Sequence, residues 1–200
     1  MISKEAIKRG YNRGNYTVGA HTRPAWATDI TRSGGAKGMQ VDPVAISEAT
    51  FDRLRVIADE VLTSEADVIS WTRDWWAGSM IAETQGAPAT SKGVIVRVST
   101  VEQIQDVMRL ASESAIPVTV SAGRSNVTGA ALPLRGGIVL DVCELNKFID
   151  FDPQSQIVEV EAGMFGDVFE QAIQKEYGMT MGHWPSSFGI STVGGWVACR

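Results

Sequence analysis

Residues 121–129 read Ser-Ala-Gly-Arg-Ser-Asn-Val-Thr-Gly and directly follow the short apolar run 117–120. Where a strand ends in small and turn-forming residues, successive backbone N–H groups can point into one concavity, which suits a phosphate or a pyrophosphate. A tight connection between two buried strands gives the same pattern. This stretch, which we call the first loop, therefore does not by itself distinguish a phosphate site from a connection between strands.

A second stretch with similar chemistry, the second motif, covers residues 182–200. Gly194 and Gly195 permit close approach to the backbone, and the hydroxyls of Ser191 and Thr192 can donate hydrogen bonds, so this motif offers further neutral donors. Neither stretch contains G-x-G-x-x-G at the start of a helix, or G-x-x-x-x-G-K-[ST]. A dinucleotide would therefore be held by a different set of loops.

The elements that position the first loop follow from hydrophobic periodicity and from proline. An apolar strand at 94–98 precedes a helix that begins near Val101 and carries its apolar residues on one face. Two alternative capping boxes precede this helix, and Pro117 ends it before the strand 118–120. This strand, helix, strand unit places the first loop at the end of a buried strand.

Further strands and a helix follow the first loop. Residues 138–142 form another apolar run, and residues 148–151 and 156–162 read as an antiparallel hairpin. A helix that begins near Phe165 ends at Gly178. We therefore expect an α+β fold with mixed sheets flanked by helices.

The segment before this unit is helical and rich in tryptophan. Apolar residues at three- and four-residue steps predict a helix over 47–62, and residues 67–76 contain three tryptophans. Three tryptophans so close can stack on a flat ring. Aromatic clusters more often anchor an irregular segment to a core or to a subunit interface, and we expect that role here.

Charge and composition argue against several classes of function. Residues 1–40 have a net charge of +5 and the rest of the chain one of −10, and an acidic folded part argues against a general nucleic-acid binder. No run approaches the roughly 18 apolar residues of a membrane span, and the N-terminus has no secretory apolar region. Cys143 and Cys199 form no redox or metal-ligand motif. We expect a cytoplasmic protein with no integral membrane segment and no bound metal.

Four motifs occur in a fixed order: P-V-x-x-x-x-G-x-S-x-x-T-G at 117–129, I-V-L-D-x-x-x-L-N at 138–146, V-E-A-G at 160–163 and S-T-V-G-G-W at 191–196. Their order and spacing resemble the FAD-binding domain of the vanillyl-alcohol oxidase or p-cresol methylhydroxylase (PCMH-type) flavoprotein family. The resemblance covers about residues 89–200. It implies a PCMH-type FAD-binding fold and FAD as the cofactor.

The resemblance also assigns contacts with FAD by position. In that family the first loop holds the FAD pyrophosphate through backbone amides, and the residues around the T-x-G-G segment contact the pyrophosphate and the adenosine or flavin side. The first role falls on Ala122, Gly123, Arg124, Ser125, Asn126 and Gly129. The second role falls on Pro185, Ser186, Ser191, Thr192, Gly194, Gly195 and Val197.

Two residues of the first loop depart from the family pattern. Ser125 falls where some members carry the histidine that bonds covalently to the flavin, so we expect FAD to be held non-covalently. Arg124 replaces a glycine of the usual R-G-G-G-[TH]-S loop. Its guanidinium either adds a charge-assisted contact to a phosphate or belongs to a solvated turn residue.

The second motif resembles alkyldihydroxyacetonephosphate synthase and its bacterial relatives among FAD-linked oxidases, with Trp196 and Arg200 as the telling residues. Arg200 and His183 are weak catalytic candidates, Arg200 for an anionic substrate and His183 as a proton carrier near the flavin. The alternatives are a surface ion pair for Arg200 and a packed, hydrogen-bonded role for His183. No general base is assigned.

We expect three parts: a basic, loosely ordered arm at 1–46, a helical and aromatic lead-in at 47–88, and the N-terminal part of an FAD-binding domain at 89–200. Because full chains of the family are more than twice as long, the resemblance implies a domain incomplete at its C-terminus. The expected function is the FAD-binding part of a dehydrogenase or oxidase of a hydroxy acid or alcohol, with a small-molecule substrate and a homodimer left open. The alternatives are an ether-lipid transferase and a non-catalytic remnant.

Overall fold

The computed structural model describes residues 43–84 and 93–199. Most of the basic arm and the whole of Arg200 lie outside the described residues. No helix in the described part is long and apolar enough to cross a membrane.

The elements in chain order are α1 (Glu48–Ile57), β1 (Glu60–Leu62), α2 (Glu65–Trp71), α3 (Ala77–Thr84), β2 (Val94–Arg97), α4 (Val101–Glu113), β3 (Val118–Ser121), β4 (Ile138–Asp141), β5 (Phe148–Asp152), β6 (Ile157–Val160), α5 (Gly166–Tyr177) and α6 (Val193–Cys199).

Four strands form the main sheet, in the order β1-β2-β4-β3. Strands β2, β4 and β3 run parallel, and β1 pairs antiparallel with β2. All four residues of β4 are buried, as expected for a central strand covered on both faces. The register aligns the last residues of the three parallel strands, Arg97, Asp141 and Ser121. Their polar side chains therefore belong to one edge of the sheet, where the first loop begins.

The two faces of the main sheet bury different side chains, because successive residues of a strand point to opposite faces. On one face, Leu140 packs with Leu54 of α1 and Leu110 of α4. On the other face, Val139 packs with Trp71, the last residue of α2. Full burial of an aliphatic side chain of this size contributes about 1.5–3 kcal/mol, so both helical layers hold the sheet in place.

Helix α4 starts at a capping box. The Thr100 hydroxyl accepts a hydrogen bond from the Gln103 N–H at 3.2 Å, and the Gln103 side chain accepts one from the Thr100 N–H at 3.1 Å. Of the two boxes predicted, the one that begins at Thr100 therefore forms. The helix returns the chain to the start of β3 and so sets the position of the first loop.

The hairpin of β5 and β6 forms a separate two-stranded antiparallel sheet. Helix α5 packs on it, with the rings of Phe148 and Phe169 at a centroid distance of 6.4 Å. Gly178 ends α5 in the left-handed conformation with φ 63°, as the sequence predicted. Trp196 of the second motif joins the same apolar cluster, so the hairpin and α5 support that motif.

Two details differ from the sequence-based expectation. The helix predicted over 47–62 ends at Ile57, and Val61 and Leu62 instead pair with β2 in strand β1. The chain becomes extended at Ala58, and a short apolar run can serve either element once β2 offers an edge to pair with. The antiparallel member of the main sheet is therefore β1 and not the hairpin. The α+β class with mixed sheets is confirmed, and the three-part division of the chain stays a prediction.

Candidate functional site

The carboxyl ends of the parallel strands carry a paired arginine and aspartate. Arg97 Nε donates to Asp141 Oδ2 at 3.2 Å, and the Cys143 N–H donates to Asp141 Oδ1 at 3.1 Å. Burial raises the pKa of Asp141, against the smaller opposing effects of the Cys143 hydrogen bond and the Arg97 charge. In open α/β sheets ligands bind outside this end of the strands, so the loops at this edge form the candidate site.

The backbone N–H groups of residues 122–127 in the first loop are candidate donors to a ligand. No described residue accepts a hydrogen bond from the backbone N–H groups of residues 122–127. The Asn126 side chain shapes the loop, because its Oδ1 accepts from the N–H groups of Thr128 at 3.1 Å and Ala130 at 3.0 Å. Gly129 turns the chain with φ 85°. A run of unbonded N–H groups in a turn is an arrangement that binds phosphate.

Arg124 lies inside the protein and is only 7% exposed. Its guanidinium carbon lies 4.0 Å from the centroid of the Trp71 ring, and its Nη1 donates to the Ser70 carbonyl oxygen at 3.2 Å. Burial lowers the pKa of Arg124. The alternative of a solvated turn residue is therefore wrong. The buried guanidinium ties the first loop to the end of helix α2.

The first loop and the second motif meet at Gly123. A β-carbon built on Gly123 would overlap the Ile190 carbonyl oxygen and lie 3.1 Å from the Ser191 Cα. Only glycine allows two backbone segments to approach this closely. The structure therefore brings the two stretches predicted from the sequence together at one edge of the main sheet.

Two buried hydroxyls of the second motif lie at the start of helix α6. Thr192 Oγ1 accepts a hydrogen bond from the Gly195 N–H at 3.3 Å, and Ser191 Oγ accepts one from Trp196 Nε1 at 2.6 Å. Both residues are 2% exposed. Each hydroxyl keeps its own hydrogen, so each can still donate to a ligand.

The two glycines of the second motif have different surroundings. The N–H of Gly194 donates to the Ala162 carbonyl oxygen at 2.9 Å, and a β-carbon on Gly194 would lie 2.6 Å from that oxygen. Its close backbone contact is therefore with the protein. Gly195 is exposed, and its nearest neighbour is the Thr192 hydroxyl.

Aromatic side chains surround the outer part of the second motif. The ring centroids of Trp184 and Phe188 lie 4.8 Å apart, and Phe188 stacks on Trp196 at 6.3 Å. The His183 ring meets Trp196 edge-on at 5.1 Å, yet the residue as a whole is exposed. His183 therefore contacts an aromatic partner without being buried.

The other predicted contacts of the second motif lie nearer to the surface. Ser186 is exposed, Val197 is 73% exposed, and Pro185 is half-buried with its carbonyl oxygen accepting from the Phe188 N–H at 2.8 Å. Within the described residues no group of three His, Cys, Asp or Glu side chains is placed to hold a metal ion.

Comparison with known proteins identifies the family to which this chain belongs. Residues 93–200 match a protein family described as FAD binding domain, which is more than half of the chain. The chain belongs to this FAD-binding family. FAD is therefore its cofactor, as the sequence resemblance implied.

Three relatives indicate the range of proteins that share this FAD-binding domain. Alkyldihydroxyacetonephosphate synthase of Dictyostelium discoideum is 24% identical over 195 residues, which is 95% of this chain and 32% of that protein. D-2-hydroxyglutarate dehydrogenase of Xanthomonas citri pv. viticola is 30% identical over 142 residues, which is 68% of this chain and 27% of that protein. The solved structure of p-cresol methylhydroxylase has a TM-score of 0.62 at 23% identity and covers 78% of this chain and 31% of its own, which confirms the PCMH-type fold. The chain thus spans about a third or less of the length of these relatives.

The donor groups of the first loop have the chemistry that an anion such as a pyrophosphate requires. Two buried side-chain atoms there, Ser121 Oγ and Arg124 Nε, have no hydrogen-bond partner among the described residues. Two further such atoms, Asp74 Oδ2 and Ser79 Oγ, lie outside the loop. Buried polar atoms normally have partners, so Ser121 Oγ and Arg124 Nε, beside the N–H groups of 122–127, suit contact with a ligand. All of these groups can donate, and residues 121–130 contain no Asp or Glu. Such a set suits an anion.

The sequence did not predict the residues that support the first loop. Besides the Trp71 contact with Arg124, the Trp75 N–H donates to the Asn126 carbonyl oxygen at 3.0 Å. A β-carbon on Gly129 would lie 3.5 Å from the Trp76 ring. The tryptophan-rich segment is the signal in the sequence, where an anchoring role was the expectation. The segment packs on the core through Trp71 and also contacts the first loop.

Proposed function

We propose that this chain is the FAD-binding part of an FAD-linked oxidoreductase, a dehydrogenase or oxidase of a hydroxy acid or an alcohol. The observation that carries the proposal is the run of candidate N–H donors at 122–127, joined to the second motif through the contact of Gly123 with Ile190. The chemistry that FAD supplies when bound is the acceptance of a hydride. The residues of this chain bind and orient the FAD. The Xanthomonas relative, a D-2-hydroxyglutarate dehydrogenase, supports a hydroxy acid as the substrate class.

The proposed contacts divide between the two stretches. The backbone amides of the first loop hold the pyrophosphate, and this set comprises Ala122, Gly123, Arg124, Ser125, Asn126 and Gly129. The buried hydroxyls of Ser191 and Thr192 donate to the remaining oxygens, because each has a hydrogen left to give. The other members of the second set are Pro185, Ser186, Gly194, Gly195 and Val197.

The proposed attachment of FAD is non-covalent. Ser125 stands at the position where the resemblance places a histidine in covalent members, and a serine hydroxyl offers no imidazole to bond the flavin. His183 lies in the other stretch, edge-on to Trp196. Its role as a proton carrier, and that of Arg200 towards an anionic substrate, stay predictions.

The test is the absorption spectrum of the purified chain after addition of FAD and removal of free flavin. We expect the flavin band to stay with the folded protein, and acid precipitation to release all of it into the supernatant. A folded chain, as shown by circular dichroism, that retains no flavin contradicts FAD binding by these residues and supports a non-catalytic remnant. Flavin that stays in the acid precipitate contradicts only the non-covalent attachment.

A transferase of the ether-lipid type is the second candidate. It is favoured by the Dictyostelium relative, whose similarity extends over 95% of this chain, against 68% for the dehydrogenase. Assays on the protein isolated from its native source distinguish the two. Bleaching of the flavin by a hydroxy acid or alcohol supports the oxidoreductase, whereas exchange of acyl for alkyl on an acylated ketose phosphate supports the transferase.

We propose a cytoplasmic location from the lack of a secretory apolar region, leave a homodimer open, and expect no nucleic-acid binding from the acidic charge of residues 41–200. They stay predictions. Fractionation of the native cells and the mass of the purified protein in solution test the first two.

A further inference from the structure

Arg124 holds a backbone conformation that favours glycine. Its φ is 53°, in the left-handed region, where an L-residue with a β-carbon is strained. Glycine would remove this strain, yet the chain places one of its largest side chains here. Something in the surrounding structure must therefore hold Arg124 in this conformation.

The contacts of the Arg124 side chain supply that restraint. The guanidinium carbon lies 4.0 Å from the Trp71 ring centroid, within the distance for a cation–π interaction, and Nη1 donates to the Ser70 carbonyl oxygen at 3.2 Å. Both contacts are desolvated, since Arg124 is 7% and Trp71 is 6% exposed. Desolvation strengthens a cation–π interaction.

Trp71 is itself fixed in the core. Its ring packs with Ile95 and Val139 on the face of the main sheet opposite α4. The Arg97 guanidinium carbon lies 4.7 Å from the same ring, and Arg97 is paired with Asp141. The ring therefore joins the ends of the parallel strands to the first loop, which follows β3.

We propose that Trp71 is a positioning residue for FAD: it holds Arg124 in the left-handed conformation and thereby keeps the N–H groups of residues 122–127 turned towards the pyrophosphate. This inference rests on the FAD role proposed for the first loop. It assigns a binding function to the lead-in helix α2, which lies before the residues that match the FAD-binding family. Trp71 acts through Arg124 and does not itself touch the cofactor.

The experiment compares Trp71→Leu with Val139→Ala. Both changes weaken the same apolar cluster, but the guanidinium of Arg124 lies on the Trp71 ring, so Val139→Ala controls for a general loss of stability. Two quantities are measured on each folded protein: the FAD dissociation constant by flavin fluorescence, and, without FAD, amide hydrogen exchange of Thr128 and Ala130, whose N–H groups are hydrogen-bonded at the end of the first loop. For Trp71→Leu we expect FAD affinity to fall about tenfold and exchange to rise by a similar factor, as loss of a desolvated cation–π contact implies.

Further variants make the result independent of folding. Trp71→Phe keeps an aromatic face and should restore most of the affinity, and Arg124→Met should reproduce the effect of Trp71→Leu. The double variant Trp71→Leu/Arg124→Met should lose no more FAD affinity than either single variant, because the two residues act through one contact. Val139→Ala should stay within about twofold of the wild type in both measurements.

Equal exchange in Trp71→Leu and Val139→Ala, or additive losses in the double variant, would overturn the inference. If the wild-type chain binds no FAD, the proposed function fails separately. In that case the exchange comparison still decides whether Trp71 holds the first loop.

Discussion

The backbone of Gly123 lies directly against the carbonyl oxygen of Ile190, closer than any side chain would allow. Gly123 belongs to the loop after β3, and Ile190 belongs to the second motif. The two stretches lie more than fifty residues apart in the sequence, and the two halves of the proposed FAD site meet at this contact. The missing β-carbon is therefore a requirement of the site's geometry.

We expect Gly123→Ala to separate the two stretches and to lower FAD affinity by at least tenfold, because the new β-carbon would overlap backbone atoms that cannot rotate away. The matched control is Gly189→Ala in the same region, where a β-carbon meets nothing within 4 Å. Titration of FAD against both variants, followed by flavin fluorescence, measures the effect. Equal affinity in the two variants would show that the Gly123 contact is not needed for binding.

The hydrogen bond from Trp196 Nε1 to Ser191 Oγ at 2.6 Å predicts a difference between two tryptophans of the second motif. Trp196→Phe should lower the free energy of unfolding by about 1 kcal/mol or more, because a buried hydroxyl loses its donor. Trp184→Phe should change it by less than about 0.5 kcal/mol, since that side chain is 57% exposed. Urea denaturation of both variants provides the measurement. A Trp184 variant as unstable as the Trp196 variant would contradict this reading of the contact.

How much of this structure can be predicted from the sequence depends on how far apart in the sequence the interacting residues lie. Local signals predict the ends of two helices: α4 ends before Pro117, and α5 ends at Gly178, which takes the left-handed conformation, as expected. Strand β1 lies within the range where the sequence predicts a helix, 47–62. Val61 and Leu62 suit either element, and only pairing with β2 makes them a strand. Its identity depends on a partner more than thirty residues away in the sequence.

The support of the first loop has the same origin. Ser70 and Arg124 are 54 positions apart, and no local pattern pairs a carbonyl oxygen with a guanidinium over that distance. The sequence indicates a loop with free amides, since small and turn-forming residues end a strand there. It does not show that the Arg124 side chain points into the protein, because that depends on the packing of α2 against the sheet.

The two cysteines should react differently with a thiol reagent. Cys143 is 4% exposed, and burial raises its pKa well above the ordinary value, with the charge of Asp141 adding to the effect. Cys199 is exposed. We expect one thiol per native chain to react at neutral pH and both to react after denaturation. Rapid reaction of two thiols in the native protein would show that Cys143 is accessible, and Cys199→Ser should remove the native reaction altogether.

Glu170 of α5 holds the segment that leads into the second motif. The residue is 3% exposed, and its carboxylate accepts hydrogen bonds from the Thr180 hydroxyl at 2.6 Å, the Gln174 side chain at 2.6 Å and the Met181 N–H at 3.1 Å. Burial raises the pKa of Glu170, but the hydrogen bonds together outweigh it and leave the pKa below the usual value. The ionised form is therefore the one that the folded protein binds best.

The lowered pKa of Glu170 gives the sign of a pH dependence. Its contribution to stability is complete above the pKa of the unfolded state, and it is lost as the pH falls through the lower pKa of the folded state. Glu170→Gln should therefore lower the free energy of unfolding at pH 7, by about 1–3 kcal/mol, since an amide cannot accept at both positions. The difference from the wild type should shrink as the pH falls below about 4. Urea denaturation at several pH values tests this, with the exposed Glu159→Gln as the control. A Glu170→Gln difference that stays constant down to acid pH would mean that the ionised carboxylate does not hold this segment.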